Sequence, residues 1–284
     1  MLVKQVVFKI EQYQVACDDG PMTRTSIENG GDFIWADGDT VGIYPNTGSQ
    51  VYFAMASGAG ASSATFDGGG WDFKASSGDN VYYYYSYYPF IGDIYLDRTH
   101  IPVSFVGQKQ PGTSDIEHIG RYDYMYTFPS SASDGAVSFS YKHLCCIIRP
   151  LVTLPAGTWT KLAVTAPSNV FAVKGYFDLT AASPAIFPTV TSNQIQIDLE
   201  NITLTEAATF QISVLSAPVD LKGTEITVSV RNSLGQEFQC KKTPSYVYTA
   251  GFIGGLTCSN WVEAPMSLII DDWGDGGSIS GTAD

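Results

Sequence analysis

Three histidines, five cysteines and a scatter of carboxylates are the side chains in this 284-residue sequence that could do chemistry. His100, His118 and His143 lack the few-residue spacing at which metal ligands recur. His143 stands in an apolar strand, where a satisfied, partly buried imidazole is expected rather than a catalytic base. Cys17, Cys145, Cys146, Cys240 and Cys258 are odd in number and irregular in spacing, so they form neither a metal signature nor a dense disulfide framework. Cys145 and Cys146 are strand neighbours that point to opposite faces and are expected as buried thiols; a Cys240–Cys258 pair stays open. The acidic stretch Asp271-Asp272-Trp273-Gly274-Asp275-Gly276 lacks the register and closing Glu of a calcium loop, and reads as a solvated turn. Neither a Gly-x-Ser-x-Gly elbow nor a phosphate-cradling glycine loop is present. Paired carboxylates could cleave a glycoside only at a separation of ~5–9 Å, which no motif here nominates. The expectation is a protein that is not an enzyme and uses no cofactor or metal.

Aromatic residues offer binding chemistry instead. Trp71, Tyr87 and Trp261 are candidates to stack on sugar rings, as a surface glycan-binding protein would require. For the run Val81–Phe90, VYYYYSYYPF, sheet packing is the stronger reading, since tyrosine packs its ring while its hydroxyl reaches water. The formal charge of −13 excludes nucleic acid as a partner, because phosphate binding needs clustered Lys and Arg. No apolar run reaches the ~18 residues of a membrane-spanning helix.

The elements that position these residues are strands. Thirteen per cent aromatics and 28 glycines are the palette of strands and tight turns, and no βαβ alternation appears. The organising stretch is Ala136–Leu154. Val137, Phe139 and Tyr141 alternate with Ser138, Ser140 and Lys142, and then Leu144–Ile148 is wholly apolar. Alternation means one wet face and a continuous apolar run means two covered faces, so this strand should pass from one sheet into another at a domain junction. Two β domains are expected, residues 1–154 and 155–284. Gln108–Thr113 reads as a polar loop. The first strand places Val6, Phe8 and Ile10 on one face, and near the C-terminus Met266, Leu268 and Ile270 share a face. Free strand edges can recruit other chains; on the residues alone, both end strands are expected to complete sheets of their own subunit.

The order Thr23-Arg24-Thr25, Phe33…Trp35…Gly38-Asp39, Val41-Gly42-Ile43-Tyr44, Tyr87-Tyr88-Pro89-Phe90, Gln108–Gly112, Asp123-Tyr124-Met125, His143-Leu144 and Ile270-Asp271-Asp272-Trp273 resembles the fimbrillin family of Bacteroidales. These are the Mfa-like and FimA-like subunits of type V pili. The resemblance implies two tandem transthyretin-like antiparallel β-sandwich domains. It also implies an exported, lipid-anchored precursor at the outer membrane and cell surface, with a leader that is not part of this sequence. Its partners would be other pilus subunits and surface ligands. In polymerising members an arginine-specific protease removes the N-terminal strand, and a neighbour's C-terminal strand fills the groove. Carried onto this sequence, Arg24 answers to the cleavage position, Val6, Phe8 and Ile10 to the groove-filling face, and Met266, Leu268 and Ile270 to the donor strand.

Overall fold

The computed structural model describes residues 5–17, 33–74, 76, 79, 81–92, 96–114, 116–131 and 136–264. Arg24, Met266, Leu268 and Ile270 lie outside the described residues. The strands are β1 Gln5–Ile10, β2 Gln14–Cys17, β3 Thr40–Pro45, β4 Val51–Ser57, β5 Ser63–Asp67, β6 Tyr83–Tyr88, β7 Ile101–Ser104 and β8 Gln108–Gln110. A short helix, α1 His118–Tyr122, precedes β9 Met125–Thr127, β10 Ser130–Ser131, β11 Ala136–His143 and β12 Cys146–Leu154. Then follow β13 Gly157–Thr165, β14 Phe171–Phe177, β15 Ile186–Ser192, β16 Gln194–Leu204, β17 Ala208–Gln211 and β18 Val214–Ser216. The last are β19 Ile226–Asn232, β20 Glu237–Lys242, β21 Phe252–Cys258 and β22 Val262–Glu263. Among the described residues the protein is all-β apart from one short helix.

The N-terminal strands form one sheet in the order β6-β3-β4-β5-β1-β11-β9, and a further β6–β9 pairing closes it on itself. Alternation explains the closure, because each strand sends one row of side chains inward. The interior is filled by Phe8, Trp35, Phe53, Phe73, Phe139 and Tyr141 among others. Gly42 lets the Tyr87 ring lie directly over the β3 backbone, where any Cβ would overlap it. In the tyrosine run, Tyr84, Tyr87 and Tyr88 are buried, as sheet packing requires.

The remaining strands build three sheets around a second core: β17-β12-β21-β2 with β18 beside β12, β22-β20-β19-β13-β16-β8, and β15-β14-β7. β11 and β12 carry out the passage expected of Ala136–Leu154. β11 belongs to the closed sheet and shows one buried face, while β12, after Leu144 and Cys145, pairs with β17, β18 and β21 and is buried on both faces. Cys145 and Cys146 are buried free thiols, and Cys240 and Cys258 are also free. Pairing is mostly antiparallel, with β1–β11, β12–β21, β16–β8 and β2–β21 running parallel.

Gln108–Gln110 is a strand rather than the polar loop expected. Its glutamines are buried because their amides take the place of a backbone ladder. Gln108 accepts from Leu215 N at 2.8 Å and donates to Leu215 O at 2.9 Å. Gln110 accepts from Ser213 N at 3.0 Å and donates to Gln211 O at 3.0 Å. Polarity in the sequence misled here because an amide side chain can be fully satisfied inside a core.

Burial of phenols and thiols sets an alkaline limit. Burial pushes the Tyr87 and Tyr124 hydroxyls up to about 12, and raises Tyr13, Tyr141, Cys145 and Cys146 as well. Groups with a raised folded-state pKa contribute stability below their unfolded values, 9.0 for the thiols and 10.0 for the phenols, and lose it as pH climbs through the folded values. Arg149, lowered by burial to about 10, works in the opposite direction but is a single group. The melting temperature is therefore expected to hold up to pH ~9 and to fall steeply between ~10 and ~12, as followed by circular dichroism. A flat profile through that window would contradict the burial of these hydroxyls.

Candidate functional site: the seat of the N-terminal strand

β1 alternates by design of its sequence, with Lys9 in solvent and Phe8 fully buried. Ile10 is buried beside Phe8 and Val6 is half-buried, so the three residues picked from the sequence do share the inward face. The strand is not an edge. It runs parallel to β11, from Gln5↔Ala136 to Ile10↔Tyr141, and antiparallel to β5 on its other side. The Phe8 ring lies 4.6 Å from Phe66 and 5.1 Å from Phe139, centroid to centroid. Trp35 Nε1 donates to the Phe8 carbonyl at 3.3 Å, tying the strand to the loop before β3. Three apolar side chains of this kind are worth roughly 1.5–3 kcal/mol each.

Beyond Ile10 the chain enters a polar junction. Tyr13 donates its hydroxyl to Asp123 Oδ1 at 2.8 Å. His143 Nδ1 lies 3.0 and 2.9 Å from the two Asp123 oxygens, and its Nε2 lies 2.6 Å from the Glu11 carbonyl. Both ring nitrogens are engaged, and His143 with Asp123 forms a buried, hydrogen-bonded imidazole–carboxyl pair. The Tyr13 ring covers the imidazole, with centroids 3.9 Å apart. The helix α1 positions the carboxylate: Asp123 is its C-cap, and the Asp123 backbone N–H bonds to Ile119 O. Burial holds the Tyr13 hydroxyl well above its ordinary value, and the neighbouring Asp123 charge raises it further. With both nitrogens engaged, His143 has no edge left to act as acid or base on a ligand. The junction is a tether.

The same segment then changes sheets. Gln14 N donates to Gly251 O at 2.8 Å, and β2 runs parallel to β21 from Gln14↔Phe252 to Cys17↔Gly255. Residues 5–17 thus fill an interior position in one sheet and extend an edge of another, with Glu11, Tyr13 and their partners between. Arg149 on β12 is buried within electrostatic reach of Tyr13. Its Nε donates to Ser213 Oγ at 3.2 Å, while Nη2 has no hydrogen-bond partner among the described residues.

The sugar-stacking candidates do not form a site together. Tyr87 is fully buried, donates to Gln50 Oε1 at 2.7 Å, and faces Tyr44 and Phe177; it has no open ring face, which corrects that expectation. Trp71 is half-buried, edge-on to Phe53, Phe73 and Tyr84. Trp261 packs against the other core and donates to Thr153 O at 2.9 Å. Tyr13, Asp123 and Arg149 are site residues that sequence reasoning passed over. Tyr13 follows Ile10 by three positions, out of step with the strand's alternation, and no spacing links it to Asp123 or His143.

Among the described residues no helix is long and apolar enough to cross a membrane. Fold and seat define an all-β protein whose first described strand occupies an interior place in a closed sheet. Two solved structures share the fold. One is a candidate cell adhesion protein from Bacteroides uniformis, 15% identical over 81% of this chain and 91% of its own, with a TM-score of 0.54. The other is a candidate cell adhesion protein from Bacteroides ovatus, 12% identical over 95% of this chain and 99% of its own, with a TM-score of 0.55. No curated protein matches the chain in sequence. Residues 23–262 match the fimbrillin-like family model, and the chain belongs to that family.

Proposed function

We propose that this protein is a structural or adhesive subunit of a cell-surface fimbria, whose first strand is a placeholder for a strand from a neighbouring subunit. Family membership supports the fimbrial part. The observation that carries the placeholder part is the seat of β1: a strand at the very end of the described chain lies between β5 and β11 and fills the core with Phe8 and Ile10. Once a cut between β2 and β3 separates it from the later strands, such an interior strand can leave without breaking the sheet's other connections, and its departure uncovers an apolar groove with two unpaired edges. In this reading an arginine-specific protease cuts after Arg24, the segment containing β1 and β2 departs, and a C-terminal strand bearing Met266, Leu268 and Ile270 enters. The chain works as two β units, residues 1–154 and 155–284, with β2, β7, β8 and β12 of the first reaching into sheets of the second. The precursor is lipid-anchored at the outer membrane, and its partners are other subunits and surface ligands.

The test is limited digestion with an arginine-specific protease, followed by mass spectrometry and size-exclusion chromatography. Loss of residues 1–24 with the appearance of multimers is expected. Resistance at Arg24, or clean cleavage that leaves only monomers, overturns the reading.

A further inference from the structure

The outer face of the sheet β22-β20-β19-β13-β16-β8 carries a polar depression that the strand seat does not use. Its volume is about 230 Å³, below the ~300–1,000 Å³ of a drug-sized pocket, and it suits one ring of a larger polar molecule. Ala163 on β13 and Ser229 on β19, directly opposite each other, form its floor. Both point away from the core, yet they are only 5% and 7% exposed, because Lys161, Arg231, Glu237 and Gln196 stand around them. Among the described residues neither the Ser229 hydroxyl nor the Gln196 amide has a hydrogen-bond partner. So deeply placed a hydroxyl is ordinarily bonded to something. A bulge brings the charges together. Trp159 pairs with Asn232 and Lys161 with Arg231, so β13 has one residue more than β19 over this step. Trp159 is buried, and strict alternation would send Lys161 after it to the inner face. The extra residue instead sets Lys161 opposite Arg231 on the outer face. Across four strands the row reads Asp198, Lys161, Arg231, Glu237. The carboxylates stand on the flanks, Asp198 Oδ1 at 3.6 Å from Lys161 Nζ and Glu237 Oε2 at 3.2 Å from Arg231 Nη2. Two cations face each other in the middle, and like charges directly opposite are unfavourable. In a chain of net charge −13 they do not belong to a general basic surface.

We infer that this depression binds a carboxylate-bearing sugar unit of a surface glycan, with the carboxylate between Lys161 and Arg231 and the hydroxyls on Ser229, Gln196 and Glu237. This deepens the adhesive part of the function proposed above and is independent of strand replacement. A carboxylate between the two cations removes their repulsion and accepts from both, the guanidinium offering a second N–H besides the one turned to Glu237. The rest of the lining selects the sugar. Sugar hydroxyls donate and accept at once, and the Ser229 hydroxyl and the Gln196 amide do the same, while Glu237 accepts. Ala163 is the only apolar side chain lining the depression, so an acidic peptide would find a place for its charge and none for its apolar neighbours. Ser229 and Ala163 are also small enough to leave the space, where a longer outward side chain would fill it.

The test is isothermal titration calorimetry on the intact, uncut chain with methyl glucuronide and methyl glucoside, which differ only in the carboxylate. The glucuronide is expected to bind at least tenfold more tightly, and its affinity to fall between ~50 and ~500 mM salt. Arg231→Gln and Lys161→Gln should each weaken it about tenfold, and Ser229→Ala by a few-fold. Lys109 lies on the same sheet, outside the depression and 2.7 Å from Glu200, so Lys109→Gln should leave binding unchanged. Melting curves of each variant, expected to match the parent, separate lost binding from lost fold. Equal affinity for the glucoside overturns the role of the two cations. Equal affinity for N-acetylaspartate overturns the sugar and points to an acidic peptide. A loss with Lys109→Gln as large as with Arg231→Gln overturns the site in favour of diffuse attraction. Binding of neither glycoside defeats the inference and leaves the fimbrial reading and strand replacement standing, since neither uses this face.

Discussion

Phe8→Ala in the intact chain is expected to cost about 3–5 kcal/mol of unfolding free energy, measured by urea denaturation. Phe8 is fully buried among Phe66, Phe139 and Tyr141, and the ring contacts come from two neighbouring strands that cannot collapse into the vacated space without breaking their own ladders. The control is Lys9→Ala, one position along the same strand but in solvent, which should stay within about 0.5 kcal/mol of the parent. The contrast matters more than either value. On the function proposed above, a placeholder strand that contributes several kcal/mol would leave its groove unstable when empty, and that instability would give strand replacement its direction. If Phe8→Ala behaves like Lys9→Ala, β1 is only loosely held and the seat is not where subunit exchange draws its energy.

Asp123→Ala should be comparably damaging, about 3–5 kcal/mol, because removing one member of a buried, hydrogen-bonded polar pair strands the other. Here it leaves His143 Nδ1 and the Tyr13 hydroxyl without their buried partner. The loss should also have a place. Glu11 N–H bonds to Tyr141 O and Gln14 N–H to Gly251 O, on either side of the tether. Hydrogen exchange is expected to accelerate at residues 11–17 well before the strands β3 and β4 of the same sheet are affected. Uniform acceleration across the closed sheet would mean that Asp123 stabilises the fold at large and not the attachment of the N-terminal segment.

Much of the architecture could be read from alternation. Val137, Phe139 and Tyr141 against Ser138 and Ser140 announced a half-buried strand, and the apolar run at Leu144–Ile148 announced the change of surroundings that β12 displays. Alternation encodes which face is buried; it carries no information about which strand lies alongside. For that reason the parallel pairing of β1 with β11, across about 130 residues of sequence, was not legible, nor was β2 as a strand of another sheet. The buried glutamines of β8 were hidden because a side chain that imitates backbone looks polar in sequence and behaves as core. His143 was read correctly as a satisfied imidazole, yet its partners were invisible: Asp123 lies 20 residues away and Glu11 offers only a backbone carbonyl, which every residue has.

The pairings of residues 5–17 also fix an order of events during synthesis. β1 cannot take its seat until Ala136–His143 exist to flank it, and β2 must wait for Phe252–Cys258. The part of the described chain that leaves the ribosome first is therefore among the last to find its neighbours, at the cost of closing very long loops. Until then Phe8 and Ile10 are exposed to whatever they meet, and the half-built sheet waits with a slot of one strand's width. A subunit that begins its life this way passes through the open, strand-hungry state once on the way to folding. If the strand is removed as proposed above, the sheet returns to a state the chain has already visited.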